Sequence, residues 1–171
     1  LAVFLILALI FIKFIFFPIL SFITGTTLPL VIVESCSMYH HEEGFEKIFE
    51  NTDIYEKNNI HIGHTERWDF QNGLDKGDVI FVIGTNNLER GDVIIFNGGT
   101  SHPIIHRLVK ADEPYATKGD NYKTNNFQLP SEKEISEDQL VGKAVFRIPY
   151  VGWVKLLFFD VFRPASERGF C

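Results

Sequence analysis

The first 23 residues are almost entirely apolar, and this run constrains the fold more than any other feature of the 171-residue chain. Only Lys13, Pro18 and Ser21 interrupt it. A helix rises ~1.5 Å per residue, so roughly 20 residues cross the ~30 Å hydrocarbon core of a bilayer. The run therefore predicts a transmembrane anchor within residues 1–27, followed by a domain outside the bilayer.

A cleaved signal peptide is the alternative interpretation of this run. Such a peptide has a basic segment before its apolar core and a small-residue cleavage site after it. No basic residue precedes this apolar run, and its exit reads Thr24-Gly25-Thr26-Thr27. We therefore expect a retained anchor. Because the sequence begins with Leu1 rather than Met, we expect residues upstream of it, and charge asymmetry does not give the orientation.

The remainder of the chain has the length of one domain, predicted over residues 28–162, with a polar tail over 163–171. The net charge is −6, and the basic residues are scattered rather than clustered, so we expect no nucleic-acid partner. Two cysteines, Cys36 and Cys171, are too few for a disulfide framework, and whether they pair stays open. No Cys/His pattern resembles a structural zinc site, so we expect neither metal nor cofactor.

From residue 77 onwards the pattern is typical of β-structure. Residues 77–83 and 91–96 are near-repeats, each a turn followed by a run of β-branched residues. The short linker between them predicts adjacent antiparallel strands. Further strands are predicted over 104–110, 115–118 and 141–148. Without an alternating βα pattern, the chain is predicted to be mainly β, as a sandwich or partly open barrel.

Two segments differ from this β-rich texture. Residues 41–72 are polar and acidic, and Phe45, Ile48 and Phe49 at helical spacing predict a short helix within a surface insertion. Residues 149–162 form an apolar patch that is too short to span a bilayer. Trp153 among several phenylalanines favours a patch in the membrane interface, and a core strand or helix fits the pattern equally well.

Ser37 follows closely on the anchor and is a candidate nucleophile. A hydroxyl becomes an effective nucleophile only when a nearby base takes its proton. If residues 33–38 are extended, Ser35 and Ser37 share one face of the chain. The Ser35 hydroxyl and the Ser37 backbone N–H would then both be available to a developing oxyanion. Besides the lysines, the candidate bases are His40, His41, His61, His64, His102 and His106.

The run Glu34-Ser35-Cys36-Ser37-Met38 resembles the nucleophile box of type I signal peptidases, in which a Ser-Met pair follows the membrane anchor. Three later stretches resemble the remaining boxes of this family, in the same order. They are Gly-Asp-Val-Ile-Ile-Phe at 91–96, His-Arg-Leu-Val at 106–109 and Lys-Gly-Asp-Asn at 118–121. Where one branch of the family has a lysine before the arginine, this chain has His106, which resembles the archaeal and endoplasmic-reticulum branch.

This resemblance implies a membrane-bound serine endopeptidase that cleaves N-terminal signal peptides from exported preproteins. It implies Ser37 as the nucleophile, His106 as general base and then acid, and Asp120 as the acid that orients the imidazole. The implied localisation is single-pass in the cell membrane, with the catalytic domain on the extracytoplasmic side. The implied partners are signal peptides of secretory preproteins, the lipid bilayer and the export translocon.

The chain also departs from the family pattern. Tyr39-His40 replaces a proline expected two residues after the methionine, and no second aspartate follows the Gly-Asp-Asn stretch within 122–126, which leaves Asp120 as the acidic member. These departures keep a non-catalytic alternative open: an inactive relative, or a membrane-anchored β-domain that binds extended peptides by strand addition. Another alternative makes Cys36 the nucleophile. We expect the histidines other than His106 to lie on the surface.

Overall fold

In the computed structural model, an N-terminal apolar helix precedes a six-stranded antiparallel sheet with a few short helices. The structure describes residues 1–40, 44–165 and 168–171. Residues 41–43 of the predicted insertion, including His41, and residues 166–167 of the predicted tail lie outside this description. The prediction of a mainly β chain with an N-terminal helix is confirmed.

The N-terminal helix consists of α1 (Ala2–Phe11), a π-helical turn (Ile12–Phe16) and α2 (Phe17–Thr24). Its 23 residues are long and apolar enough to cross a membrane. The π-helical turn ends two residues before Pro18. Proline lacks an N–H and its ring clashes with the carbonyl four residues earlier, which interrupts regular α-helical hydrogen bonding there. The helix ends at Gly25, whose φ of +67° is the left-handed conformation that favours glycine. The Thr24 carbonyl then accepts a hydrogen bond from Gly84 N–H at 2.8 Å.

Six strands form a single sheet in the order β1-β2-β6-β3-β4-β5, with every neighbouring pair antiparallel. The strands are β1 (Leu30–Ile32), β2 (Val79–Ile83), β3 (Val93–Phe96), β4 (Ile104–Lys110), β5 (Ala116–Lys118) and β6 (Leu140–Ile148). All five strands predicted from residue 77 onwards are therefore present. β1 lies at one edge of the sheet and ends five residues before the predicted nucleophile.

The predicted pairing of the two near-repeats is wrong. β6 lies between β2 and β3 and is antiparallel to both, so these two strands run parallel to each other. Every residue of β3 is buried, and such a strand requires a hydrogen-bonded partner on each edge. A hairpin would supply only one of these partners. The nine-residue β6 is long enough to pair with both strands, with a register shift in each pairing.

The predicted insertion contains two short helices, α3 (Gly44–Glu50) and α4 (Ile54–Lys57), and a 3₁₀ helix (Ile62–Arg67). Phe45 and Ile48 are buried, as their helical spacing predicts. The insertion therefore forms a small core of its own against β4 and β5 rather than lying loosely on the surface. The buried members of this core are Phe45, Ile48, Tyr55, Ile60, Trp68, Val109 and Ala116.

The apolar patch over 149–162 contains α5 (Trp153–Phe159) and a 3₁₀ turn (Asp160–Phe162). The chain then returns towards the predicted nucleophile, because a disulfide joins Cys171 to Cys36 with their Cα atoms 5.5 Å apart. Phe170 packs on Trp153, with 4.4 Å between ring centroids. The end of the predicted polar tail is thus fixed to the domain.

Candidate active site

The backbone at Ser37 is held by the predicted Gly-Asp-Asn box. Asn121 donates from its backbone N–H to the Ser37 carbonyl and from its side chain to the Cys36 carbonyl, both at 2.8 Å. Gly119 lies directly beneath, and a Cβ there would be 2.8 Å from the Ser37 carbonyl oxygen. The next residue, Met38, is 1% exposed and anchors the segment in the core. Ser37 therefore has a fixed backbone.

The two predicted oxyanion residues are close together. The Ser35 and Ser37 Oγ atoms are 3.2 Å apart. The two hydroxyls are thus neighbours, although residues 35–38 form a bend and a turn rather than the extended segment on which the prediction rested. The backbone N–H of Ser37 donates no hydrogen bond to any residue that the structure describes. Ser37 thus offers a free donor next to its own hydroxyl, which is the arrangement that an oxyanion hole requires.

Ser37 and His106 line the same open cleft, which has a volume of about 670 Å³. Its lining includes β1, which is an edge strand of the sheet, and residues 100–106. Most other lining side chains are apolar, among them Leu28, Leu30, Ile32, Pro103, Ile104 and Leu129. No hydrogen bond joins Ser37 to His106 in the described part of the chain. Such bonds are often long until a substrate is bound.

His106 lies on β4, is 3% exposed and is bonded through Nδ1 to Oε1 of Glu132. The Glu132 side chain is fully buried, and its other oxygen accepts a hydrogen bond from Leu129 N–H at 2.7 Å. An ionised carboxylate only accepts hydrogen bonds, so Nδ1 carries the proton in this contact. The remaining ring nitrogen, Nε2, is then left free to accept a proton.

Asp120 is fully buried, but it binds Arg107 rather than His106. Its carboxylate accepts from Arg107 Nε at 3.1 Å and from Nη2 at 2.7 Å. The prediction that Asp120 orients the catalytic imidazole is therefore wrong. Successive side chains of a strand point to opposite faces, so His106 and Arg107 diverge. Asp120 lies on the Arg107 side, since Arg107 pairs with Lys118 across β4 and β5.

Arg107 connects the sheet to the insertion. Besides Asp120, its guanidinium donates to the carbonyls of Asp69, Phe70 and Gly91, at 3.0, 3.2 and 2.7 Å respectively. The guanidinium also lies 5.1 Å from the ring centroids of two insertion residues, Phe45 and Trp68. The Arg107–Asp120 pair therefore has a structural role next to the site.

Lys118 is a second buried cation, and it holds the turn after β5. Its ammonium donates to the carbonyl of Gly119 at 2.6 Å and to that of Asn125. Burial lowers the pKa of Lys118 to about 8, while the charges of Glu132 and Asp120 act in the opposite direction. Asn125 lines the cleft, so this lysine shapes part of its wall.

The cleft also has a charged end, formed around Glu34. Its carboxylate accepts from Lys155 of α5 at 3.0 Å and from Arg163, and His102 Nδ1 lies 3.7 Å away. Burial pushes the pKa of Glu34 upwards, but Lys155 and Arg163 outweigh this and leave it below its ordinary value. The apolar patch is thus connected to the cleft through ion pairs.

The other predicted histidines have several environments. His61, His64 and His102 are exposed, as predicted. His40 is buried instead, because its Nε2 bonds to the Gln71 carbonyl at 2.7 Å and its ring packs on Phe45. Its Nδ1 lies 3.6 Å from the Asp120 carboxylate, on the Arg107 side. The prediction of a surface position is therefore wrong for His40.

Cys36 is bonded to Cys171, so its sulfur is not a free thiolate. The reactive form of cysteine is the thiolate. The alternative in which Cys36 is the nucleophile is therefore wrong for this structure. The question of whether the two cysteines pair, open from the sequence, is answered by the disulfide.

Comparisons with known proteins show what the chain is similar to. No family model matches the chain. Over 95 residues it is 34% identical to the signal peptidase complex catalytic subunit sec11 of Sclerotinia sclerotiorum, covering 49% of this chain and 55% of that protein. Its homologues are signal peptidase subunits. Over 96 residues it is 29% identical to the signal peptidase complex catalytic subunit SEC11C of Homo sapiens, covering 50% of each chain.

The resemblance to the endoplasmic-reticulum and archaeal type of signal peptidase I is therefore confirmed. The subunit of Saccharomyces cerevisiae is 28% identical over 94 residues, which are 48% of this chain and 56% of that subunit. The chain spans about half the length of the curated relatives it matches.

Glu132 is the residue of this site that sequence reasoning missed. It lies in the polar run Ser131-Glu132-Lys133-Glu134, in which nothing distinguishes it from an exposed acid. One local signal exists: an acid in the first turn after Pro130 is typical of a helix start. That signal explains the bond from Leu129 N–H, but it does not reveal the contact with His106.

Proposed function

We propose that this protein is a membrane-bound serine endopeptidase that cleaves N-terminal signal peptides from exported preproteins. The observation that carries the proposal is the shared cleft, in which the Ser37 hydroxyl and the imidazole of His106 face the same space. The fixed proton on His106 Nδ1 leaves Nε2 as the acceptor that a serine nucleophile requires. The homology to signal peptidase catalytic subunits supports the choice of substrate.

In this mechanism Ser37 Oγ attacks the scissile carbonyl while its proton passes to His106 Nε2. The carbonyl oxygen becomes an oxyanion, to which the Ser37 N–H and the Ser35 hydroxyl donate hydrogen bonds. His106 then returns the proton to the leaving amine as the peptide bond breaks, which leaves an acyl-enzyme on Ser37. A water molecule, deprotonated in turn by His106, hydrolyses the ester and restores the serine.

The substrate is proposed to bind as an extended strand along the free edge of β1. Unpaired backbone groups on an edge strand accept an added strand, and side-chain pockets supply the specificity. The apolar lining of this cleft suits small apolar side chains at the first and third positions before the cut. Binding in this manner brings the scissile bond past the end of β1, towards Ser37 in the same cleft.

The chain is proposed to cross the cell membrane once, with the catalytic domain on the extracytoplasmic side. The Cys36–Cys171 disulfide supports this side, because disulfides persist in oxidising compartments. The apolar patch over 149–162 is proposed to lie in the membrane interface. It exposes large side chains on α5 and the following turn, namely Val154, Leu157, Phe158, Phe159, Val161 and Phe162. The proposed partners are the lipid bilayer, signal peptides of secretory preproteins and the export translocon.

The test is cleavage of a preprotein in detergent micelles by wild type and by Ser37→Ala. We expect the variant to lose about 10³-fold or more in kcat/KM, because nothing replaces the nucleophile. Ser136→Ala, which removes a hydroxyl outside the cleft, serves as the matched control and should cleave like wild type. Full activity of Ser37→Ala would remove Ser37 from the role of nucleophile. A wild-type protein that binds signal peptides but reacts with no acylating probe would point to the non-catalytic alternative.

A further inference from the structure

We propose that Glu132 is the carboxylate that positions His106, so that the site operates as Ser37, His106 and Glu132. This inference rests on the proposed function. Glu132 lies outside every stretch that resembles a signal peptidase box, and it follows the last of them by eleven residues. A carboxylate in this place fixes the tautomer of the imidazole and stabilises its charged form during proton transfer.

The surrounding contacts fix the orientation of the Glu132 carboxylate. Both partners of the His106–Glu132 bond are buried, with side-chain exposures of 4% and 0%. One carboxylate oxygen binds His106 Nδ1, and the other binds Leu129 N–H at 2.7 Å. Because Leu129 N–H can only donate, it fixes the orientation of the carboxylate. The Pro130–Glu132 turn thus places a carboxylate against Nδ1 of the imidazole.

The other buried carboxylate of the region is already engaged. Asp120 accepts three hydrogen bonds from Arg107 on the opposite side of β4. The remaining ionisable groups near Glu132 do not bond to His106 in the described residues. They are Lys118, whose ammonium binds two carbonyls, and Tyr55, whose buried hydroxyl has no hydrogen-bond partner among those residues. Glu132 is therefore the group in position to act on the imidazole.

Glu132→Gln tests this role sharply because of the bond to Leu129. The glutamine oxygen is drawn to Leu129 N–H, so its NH₂ group faces His106 Nδ1. An NH₂ group only donates, which forces Nδ1 to accept and moves the imidazole proton to Nε2. In that tautomer Nε2 cannot take the proton of Ser37. The substitution therefore keeps the shape of the side chain but reverses the proton arrangement of the base.

We expect Glu132→Gln to lower kcat/KM for preprotein cleavage about 10³-fold, as loss of the correct tautomer does in serine proteases. The acidic limb of its pH–rate profile should also move to lower pH, because a negative charge beside the imidazole has gone. Glu132→Asp, which keeps the charge on a shorter side chain, should recover part of the rate. Glu134→Gln, an exposed acid two residues away, is the matched control and should match wild type.

Thermal unfolding of each variant in detergent separates a structural role from a positioning role. A Glu132→Gln protein that is folded and cleaves at the wild-type rate, with an unchanged pH profile, would overturn the inference. So would a loss of activity that follows the loss of folded protein alone, without any change in the pH profile. If Ser37→Ala and Glu132→Gln are both fully active, the proposed function itself fails. An inactive Ser37→Ala beside a fully active Glu132→Gln removes only the role of Glu132.

Discussion

His106 and Arg107 are neighbours on β4, and each binds a buried carboxylate, yet the two pairs have different purposes. On one face, Glu132 binds an imidazole that lines the cleft. On the other face, Asp120 binds a guanidinium that reaches the insertion and lies away from solvent. The strand thus separates the pair that we propose for chemistry from a pair that holds the structure. The carboxylate inside a recognisable motif belongs to the structural pair.

The structural pair also supports the chemical one. Asp120 is flanked by Gly119 and Asn121, which pack against and bond to the backbone at Ser37. The Arg107–Asp120 pair therefore stabilises the fold around this box, while Gly119 and Asn121 contact the Ser37 backbone themselves. The difference between the two faces predicts that substitutions on one side lower the rate and substitutions on the other lower the stability.

Arg107→Met gives the largest effect on stability. Removing one partner of a buried ion pair leaves an uncompensated charge and costs about 3–5 kcal/mol. Chemical denaturation in detergent should show this loss, while the remaining folded protein cleaves a preprotein with nearly normal kcat. Arg90→Met removes an exposed arginine and should stay within about 0.5 kcal/mol of wild type. A stable but inactive Arg107→Met protein would contradict the separation of the two faces.

Removing the disulfide tests whether the hydrogen bonds from Asn121 are sufficient to hold the backbone around Ser37. Cys36 is fixed both by Asn121 and by Cys171. Cys171→Ser should lower the free energy of unfolding by about 2–4 kcal/mol, because the closed loop restricts the unfolded chain. Cleavage of a preprotein below the unfolding temperature should persist, since Asn121 still holds the Cys36 carbonyl. The same variant should be insensitive to a dithiol reductant that destabilises wild type. Loss of activity in a folded Cys171→Ser protein would show that Asn121 alone is not enough.

Lys118→Met is expected to change how steeply the free energy of unfolding depends on pH, and this is the smallest of the three effects. In the folded protein the pKa of Lys118 is about 8, below the ordinary value of 10.5. Between these two values the unfolded chain binds more protons, so Lys118 makes the free energy of unfolding rise with pH. The rise is at most about 1.4 kcal/mol per pH unit. Denaturation at pH 8, 9 and 10 should give a flatter dependence for Lys118→Met than for wild type or the exposed control Lys133→Met. Equal slopes would contradict a desolvated Lys118.

The apolar helix and the strands were predictable because their signals are local. A run of 23 mostly apolar residues cannot be solvated by water as an extended chain, so few structures other than an apolar helix are available to it. The near-repeats at 77–83 and 91–96 each contain a strand, as their local composition predicts. Their pairing was not predictable, because the strand that separates them begins more than forty residues later, at Leu140. A local pattern predicts whether a segment is a helix or a strand, whereas the pairing of strands in a sheet depends on the whole chain.

The site shows the same division. Ser37 and His106 were found from motifs, and the structure brings them to one cleft. Asp120 was assigned to His106 because a motif contains it, but the alternation of side chains along β4 directs it to Arg107. Glu132 is joined to His106 across 26 residues, and its local sequence indicates only the start of a short turn. A contact of this kind depends on folding of the loop after β5.

The short connection between the helix and β1 limits how far the cleft can lie from the end of the helix. Five residues separate Thr24 from Leu30, so the cleft begins at most about 20 Å along the chain from the end of the helix. The Gly84–Thr24 hydrogen bond fixes that connection to the sheet. If the helix spans a bilayer, Ser37 stands at a set height above the lipid. If the proposed function holds, the anchor of this chain would then set the distance between the apolar core of a substrate and the position of the cut.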